Sequence, residues 1–212
     1  MGRILTVDQS FPARSAVDEA VAVLERGGVL VMPTDSVYGI GCAATPNNPG
    51  HERIFQIKRR ARTQTLPWLI ADAGDLMRYA AALSPQAVEL AAAFWPGALT
   101  LVVRASDEVA PEYRSADGTI ALRLPDSNLV REIARRSGCA LATTSANAHG
   151  DAAAISVETV DRRIVDEADL TLDGGPAPLA IASTIVSCVG KEPRVLREGA
   201  LSQDRIRAAL TG

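Results

Sequence analysis

Lys58, Arg59, Arg60 and Arg62 crowd the end of one predicted helix, and arginine forks meet phosphate oxygens two at a time. The cluster reads either as a phosphate-binding group or as a solvated basic terminus that complements the helix dipole. Two polar segments stand directly after predicted strands: Pro33-Thr34-Asp35-Ser36-Val37-Tyr38-Gly39 and Thr143-Thr144-Ser145-Ala146-Asn147. Loops at strand ends are where open α/β sheets hold ligands, and hydroxyls with an amide suit a carboxylate, a ribose or a phosphate. The same residue types form ordinary turns, so the weight lies in their occurring together.

Two further segments, Leu172-Asp173-Gly174-Gly175-Pro176 and Ala182-Ser183-Thr184, flank a loop before a strand; glycines there permit close backbone approach or a plain turn. Arg123 stands on an otherwise apolar predicted strand. A charge in such a place needs an anionic partner, either a ligand carboxylate or an internal Asp. Gly39-x-Gly41-x-x-Ala44 imitates a dinucleotide fingerprint, but Thr45-Pro46-Asn47-Asn48-Pro49 follows where that fingerprint requires a helix, and no Walker A sequence occurs. Phosphate binding therefore falls to side chains. A hydrolase centred on Ser145 and His149 lacks both a G-x-S-x-G elbow and an orienting carboxylate.

These residues need elements to carry them. A helix from Ser15, with Val17, Val21 and Leu24 on one face, ends at Gly27-Gly28. A strand follows at 29–32 and Pro33 closes it; from Thr34 through Tyr38 and two glycines to Pro49-Gly50 the chain reads as one long loop. Helices are expected over 51–60, 72–83 and 84–94, the last with Ser84 as N-cap and Pro85 at its first position. Strands are expected over 66–71, 99–104, 119–124, 140–143, 169–172, 184–188 and 194–197 from β-branched content and flanking turn residues. Asp126 is expected to cap a helix that ends at Gly138, and Ser156 and Ser202 to cap two more. Such alternation gives an α/β fold, a sheet covered by helices with an antiparallel pair near the C-terminus.

Composition narrows the function classes. The 212 residues suffice for one sizeable core, and 47% hydrophobic with 22% charged residues is ordinary for a globular chain. The net charge of −3 argues against a surface that is wholly a nucleic-acid footprint, while leaving room for a local basic patch. The apolar runs are strand-sized, too short to cross a bilayer, and Asp8 comes too early for a secretory signal, so a cytoplasmic protein is expected. Cys42, Cys139 and Cys188 are odd in number and widely spaced, which suits buried thiols better than a disulfide or zinc framework.

Taken in order, these segments resemble the YrdC-like family of threonylcarbamoyl-AMP synthases, which activate L-threonine and bicarbonate with ATP for tRNA modification. The likeness runs from about Ser15 to Ser202. It includes the Pro33–Gly39 segment, Lys58-x-Arg60, Phe94-Trp95-Pro96-Gly97-Ala98-Leu99-Thr100-Leu101 and Ala121-Leu122-Arg123-Leu124-Pro125. Ser145-Ala146-Asn147, Asp173-Gly174-Gly175-Pro176, Ser183-Thr184 and Leu196-Arg197-x-Gly199 complete it. The resemblance implies a twisted mixed sheet flanked by helices, with an open concave ligand pocket, in a single domain over 1–212 whose core is about 15–202.

By that resemblance Thr34, Arg123 and Ser183 hold threonine, and Arg60, Gln64, Thr119, Ser145, Asn147 and Arg197 contact ATP. Lys58 stands with Arg60 beside the phosphates as the catalytic pair, and Mg²⁺ travels with the nucleotide. The chain carries Ala61 where the family usually has Pro, Gln64 for Asn, Leu69 for a histidine near the threonine and Ala182 for a Glu. The implied partners are ATP, L-threonine, bicarbonate and a separate tRNA-modifying transferase, with RNA binding by this chain possible but not required. A non-catalytic or differently specific YciO-like paralogue, holding RNA or nucleotide, is the alternative reading.

Overall fold

A computed structural model describes residues 2–61, 65–148 and 150–211. In chain order the first elements are β1 (Ile4–Thr6), α1 (Arg14–Glu25), β2 (Leu30–Met32), β3 (Gly39–Ala43), α2 (Pro49–Lys58) and β4 (Trp68–Leu69). Then come α3 (Asp75–Tyr79), α4 (Pro85–Phe94), β5 (Leu99–Arg104), β6 (Thr119–Arg123), α5 (Asn128–Ser137) and β7 (Leu141–Ser145). The chain finishes with α6 (Arg162–Glu167), β8 (Leu170–Asp173), β9 (Thr184–Ser187), β10 (Arg194–Arg197) and α7 (Gln203–Ala208).

The ten strands form one mixed sheet in the order β1-β8-β2-β3-β7-β4-β6-β5-β9-β10. Alternation sorts its side chains between two cores. Leu30, Met32, Leu69, Leu141, Leu170 and Leu172 face α1 and α5, where Val17, Ala20, Leu24, Val130 and Ile133 close over them. Val29, Val31, Ile40, Trp68, Leu101 and Leu122 face the other way, toward Ile54 and Ile57 of α2, Leu90 of α4 and Ile164 of α6. Trp68 is 1% exposed and sits edge-on to Tyr79 and Tyr113, with ring centroids 5.0 and 5.3 Å away.

Coverage on the α1/α5 side is incomplete: among the described residues, none from β5, β6, β9 or β10 belongs to that core. The register nevertheless continues its row of side chains across the sheet. Leu69 pairs with Leu141 and with Arg123, Thr100 pairs with Ile185, and Ile185 pairs with Arg197. The side chains at the uncovered end of this row are therefore available to a ligand.

Several expectations need correction. The glycine-bearing stretch after Tyr38, read as loop, is the buried strand β3 between β2 and β7. A Cβ on Gly39 would meet Thr143 Cγ2 at 2.7 Å, and one on Gly41 would meet Thr143 Oγ1 at 2.7 Å, so these glycines serve close strand packing rather than a turn. The helix expected over 72–83 shrinks to α3, because the Asp75 carboxylate accepts from Ala71 N and Asp72 N at its start and Ala80 leaves in an extended conformation to bridge Ala105. Ser127, not Asp126, caps α5 by accepting from Val130 N. Ser156 opens a single 3₁₀ turn, whereas Ser84 and Ser202 cap α4 and α7 as expected. β1, which sequence reasoning missed, is an edge strand parallel to β8, and the helix expected from Ser156 starts only at Arg162, as α6 capped by Asp161. Cys42 and Cys188 are buried free thiols, and burial pushes them up to about 12 and about 11.

Candidate active site

Thr34 shows why the segment after β2 turns where it does. Its hydroxyl accepts from Ser36 N and Val37 N at 3.1 and 3.2 Å and donates to Val37 O at 2.7 Å, a side chain imitating a backbone turn. That turn carries Asp35 and Ser36 toward Arg123 at the end of β6. Arg123 Nη2 meets Asp35 Oδ1 at 2.5 Å, Nη1 donates to Ser36 Oγ at 2.7 Å, and Nε donates to Gly97 O at 2.9 Å. The anionic partner this charge needs is therefore an internal Asp, and the pair is buried, each side chain 6% exposed. Burial pulls the guanidinium below its usual range and Asp35 opposes that shift. Trp95 donates from its indole N–H to Leu99 O and thereby braces the Trp95-Pro96-Gly97 bend that offers the Gly97 carbonyl to Arg123.

Arg123 borders a cavity of about 300 Å³ on the uncovered side of the sheet. Thr34, Ser36, Thr100, Ser145, Asn147, Ser183 and Arg197 also line it, with apolar stretches at Leu69, Ala182 and Ile185. Ser183 Oγ and Thr100 Oγ1 share a 2.9 Å hydrogen bond, and Arg197 Nη2 donates to Ser183 O at 2.7 Å. Six of the eight segments that carry the family resemblance thus meet at one place. A larger depression of about 620 Å³ between Phe11 and α5 gathers none of them.

Lys58 and Arg60 stand behind the segment that carries Ser145 and Asn147 rather than in the cavity wall. Lys58 is buried, and its Nζ donates to the carbonyls of Ser145 and Asn147 at 2.5 and 2.6 Å. Burial and then the nearby Arg60 pull its pKa down to about 8, with Asp161 opposing. Arg60 follows the left-handed Arg59 that ends α2 and reaches Thr144 Oγ1 at 3.1 Å. Thr119 sits at the opposite end of β6 from Arg123, its hydroxyl held by Ser115 and Asp117, and it does not border the cavity. Arg62, Gln64 and His149 lie outside the described residues.

The Asp173-Gly174-Gly175 segment turns out to be a clamp: Tyr38 OH donates to Gly175 O at 2.7 Å and accepts from Gly174 N at 3.2 Å. Thr184 is likewise structural, holding Gly199 N and Leu201 N on its hydroxyl. Sequence reasoning missed Thr100 as a wall residue. The signal was there, since Thr100 is the polar residue in Leu99-Thr100-Leu101 and period-2 alternation turns it away from the core its neighbours fill.

The family model named Sua5/YciO/YrdC, described as "Telomere recombination", matches residues 22–199. The chain belongs to the Sua5/YciO/YrdC family. It is 32% identical over 195 residues to a Bacillus subtilis protein named threonylcarbamoyl-AMP synthase, covering 92% of this chain and 56% of that protein. A Mycobacterium tuberculosis protein, provisionally given the same name, is 35% identical over 191 residues, covering 90% of this chain and 87% of the relative. The crystal structure of Pyrococcus abyssi Sua5 complexed with L-threonine superimposes with a TM-score of 0.92 at 28% identity, over 98% of this chain and 61% of that one. E. coli YciO has the same fold, with a TM-score of 0.87 at 24% identity over 97% of this chain and all of that one. The chain thus spans little more than half the length of some relatives and most of others.

Proposed function

We propose that this family member is an L-threonylcarbamoyladenylate synthase, a nucleotidyltransferase making threonylcarbamoyl-AMP and pyrophosphate from L-threonine, bicarbonate and ATP for threonylcarbamoyladenosine modification of tRNA. The observation that carries this reading is the convergence on one cavity of the Arg123 guanidinium, the Thr100–Ser183 hydroxyl pair, Arg197, Ser145 and Asn147. The names of the relatives at 32% and 35% identity agree with it.

In this reading the neutral amine of threonine attacks the carbon of bicarbonate, water leaves, and a carbamate forms. A carbamate oxygen then attacks the α-phosphorus of ATP while the bond to the bridging oxygen of the β-phosphate breaks and pyrophosphate departs. The chain's own residues bind and orient: Arg123, Thr34 and Ser183 hold the amino acid, and Arg60, Gln64, Ser145, Asn147 and Arg197 the nucleotide. Lys58 contributes through the loop whose carbonyls it binds, whereas Thr119, bonded to Ser115 and Asp117, stands away from the cavity wall. Among the described residues no three His, Cys, Asp or Glu side chains gather as a metal site. In this reading Mg²⁺ enters as part of the ATP substrate, held by its phosphates and water.

The adenylate would pass to a separate tRNA-modifying transferase, and the work would take place in the cytoplasm; among the described residues no helix is long and apolar enough to cross a membrane. The test is pyrophosphate release with ATP, Mg²⁺ and bicarbonate, comparing L-threonine, L-serine and no amino acid, with Arg60→Ala as control. Threonine-dependent release lost in the variant is the expected result. Folded protein that binds nucleotide or RNA yet releases no pyrophosphate with either amino acid would instead support the YciO-like alternative.

A further inference from the structure

We propose that Asp35 is a positioning residue that holds Arg123 so that its two remaining N–H groups form a fixed fork for the carboxylate of the amino-acid substrate. The proposal rests on the synthase reading and deepens it.

A guanidinium has five N–H donors. In Arg123 three are engaged, one on each nitrogen: Nε on Gly97 O, Nη1 on Ser36 Oγ and Nη2 on Asp35 Oδ1. One donor is left on each Nη, and a carboxylate has an oxygen for each of them. Arg123 borders the cavity while Asp35 does not, so Asp35 acts on a ligand through the arginine. Oδ2 of Asp35 is buried and has no hydrogen-bond partner. A buried ion pair with one oxygen unsatisfied is a poor device for stability alone, and an acid held this way is better explained by the direction it imposes. That direction is itself secured from both sides: the Thr34 hydroxyl shapes the turn that carries Asp35, and Leu179 N donates to Asp35 O at 2.9 Å.

Charge and geometry give opposite expectations, which makes the proposal testable. As a mere negative neighbour Asp35 repels a substrate carboxylate, and Asp35→Asn would tighten threonine binding. As the residue that aims the fork, Asp35→Asn weakens it by roughly tenfold or more, the scale of a hydrogen bond to a charged group. The experiment is calorimetric titration of wild type, Asp35→Asn and Ser36→Ala with L-threonine and separately with ATP, followed by KM for each substrate. The expected result is a raised threonine Kd and KM in both variants, smaller in Ser36→Ala, with ATP binding unchanged. Equal or tighter threonine binding in Asp35→Asn, or equal losses for threonine and ATP, overturns it. If Asp35→Asn does not fold, Ser36→Ala loosens the same fork without unpairing a charge, and an unchanged threonine Kd there overturns the proposal. Wild type that binds ATP but no threonine defeats the synthase reading itself, a result distinct from these.

Discussion

Lys58 Nζ lies 2.5 Å from the carbonyl oxygen of Ser145 and 2.6 Å from that of Asn147. The lysine ties the end of α2 to the loop after β7 from behind, so that Ser145 and Asn147 present their side chains to the cavity while their backbone oxygens are occupied. A neutral amine has two N–H groups, enough for both carbonyls, so this brace survives loss of the proton.

The pH dependence follows from the lowered pKa. The folded state holds the Lys58 proton only up to about pH 8, whereas an unfolded chain holds it to about 10.4. Between these values the unfolded state binds more protons, and stability rises with pH from this group. Chemical denaturation of wild type and Lys58→Met from pH 7 to 10.5 should show the wild type gaining relative to the variant above pH 8. Parallel curves would mean that the lysine titrates normally.

Gly39 and Thr143 form a second coupled pair. Gly39→Ala drives a methyl group into Thr143 Cγ2 and should cost about 1–3 kcal/mol, as overpacking of a filled interior does. Thr143→Ser removes the opposing methyl, so Gly39→Ala/Thr143→Ser should recover about half of that loss in a double-mutant cycle. Additive losses would show that the strain lies elsewhere in β3.

Thr100 tests the wall that sequence reasoning overlooked. Thr100→Val keeps the shape and removes the hydroxyl that Ser183 shares. Steady-state kinetics should show KM for threonine raised several-fold, KM for ATP unchanged, and thermal stability within about 1.5 kcal/mol of wild type. A change in both KM values would assign Thr100 to the packing of β5 against β9 instead.

Arg197 spans two roles, since it borders the cavity and holds Ser183 O. Arg197→Lys preserves charge but not the fork, so pyrophosphate release should fall at least tenfold with little loss of stability, measured by the same assay with thermal denaturation alongside.

What could be read from the sequence was what local chemistry decides. Ser84 followed by Pro85 marks the start of α4 because the cap and the missing N–H both belong to the first turn, and β5 and β10 begin and end at the residues expected. Arg123 was recognisable as a charge out of place because its neighbours on β6 are apolar. Tertiary contacts hid the rest. Gly39 and Gly41 imitate a turn until the closeness of Thr143 is known, α3 is cut short by the bridge from Ala80 to Ala105 just past β5, and β1 is a strand only because β8 lies beside it. Lys58 was legible as a cation of the cluster, but its direction, toward backbone carbonyls behind the loop, depends on how α2 meets β7. Arg123 could be paired with an Asp in principle, yet only the folded turn at Thr34 selects Asp35.

The two tryptophans divide the optical signal of the protein. Trp68 is enclosed by Tyr79 and Tyr113, while the half-buried Trp95 stands two residues from the carbonyl that receives Arg123. The Trp68 indole is 1% exposed among aromatic rings and should emit at shorter wavelength than that of Trp95, which stands beside the bend that supports the fork. One fluorescence spectrum therefore contains both a site reporter and its internal reference, distinguishable by wavelength and by access to a dissolved quencher, without a label being attached.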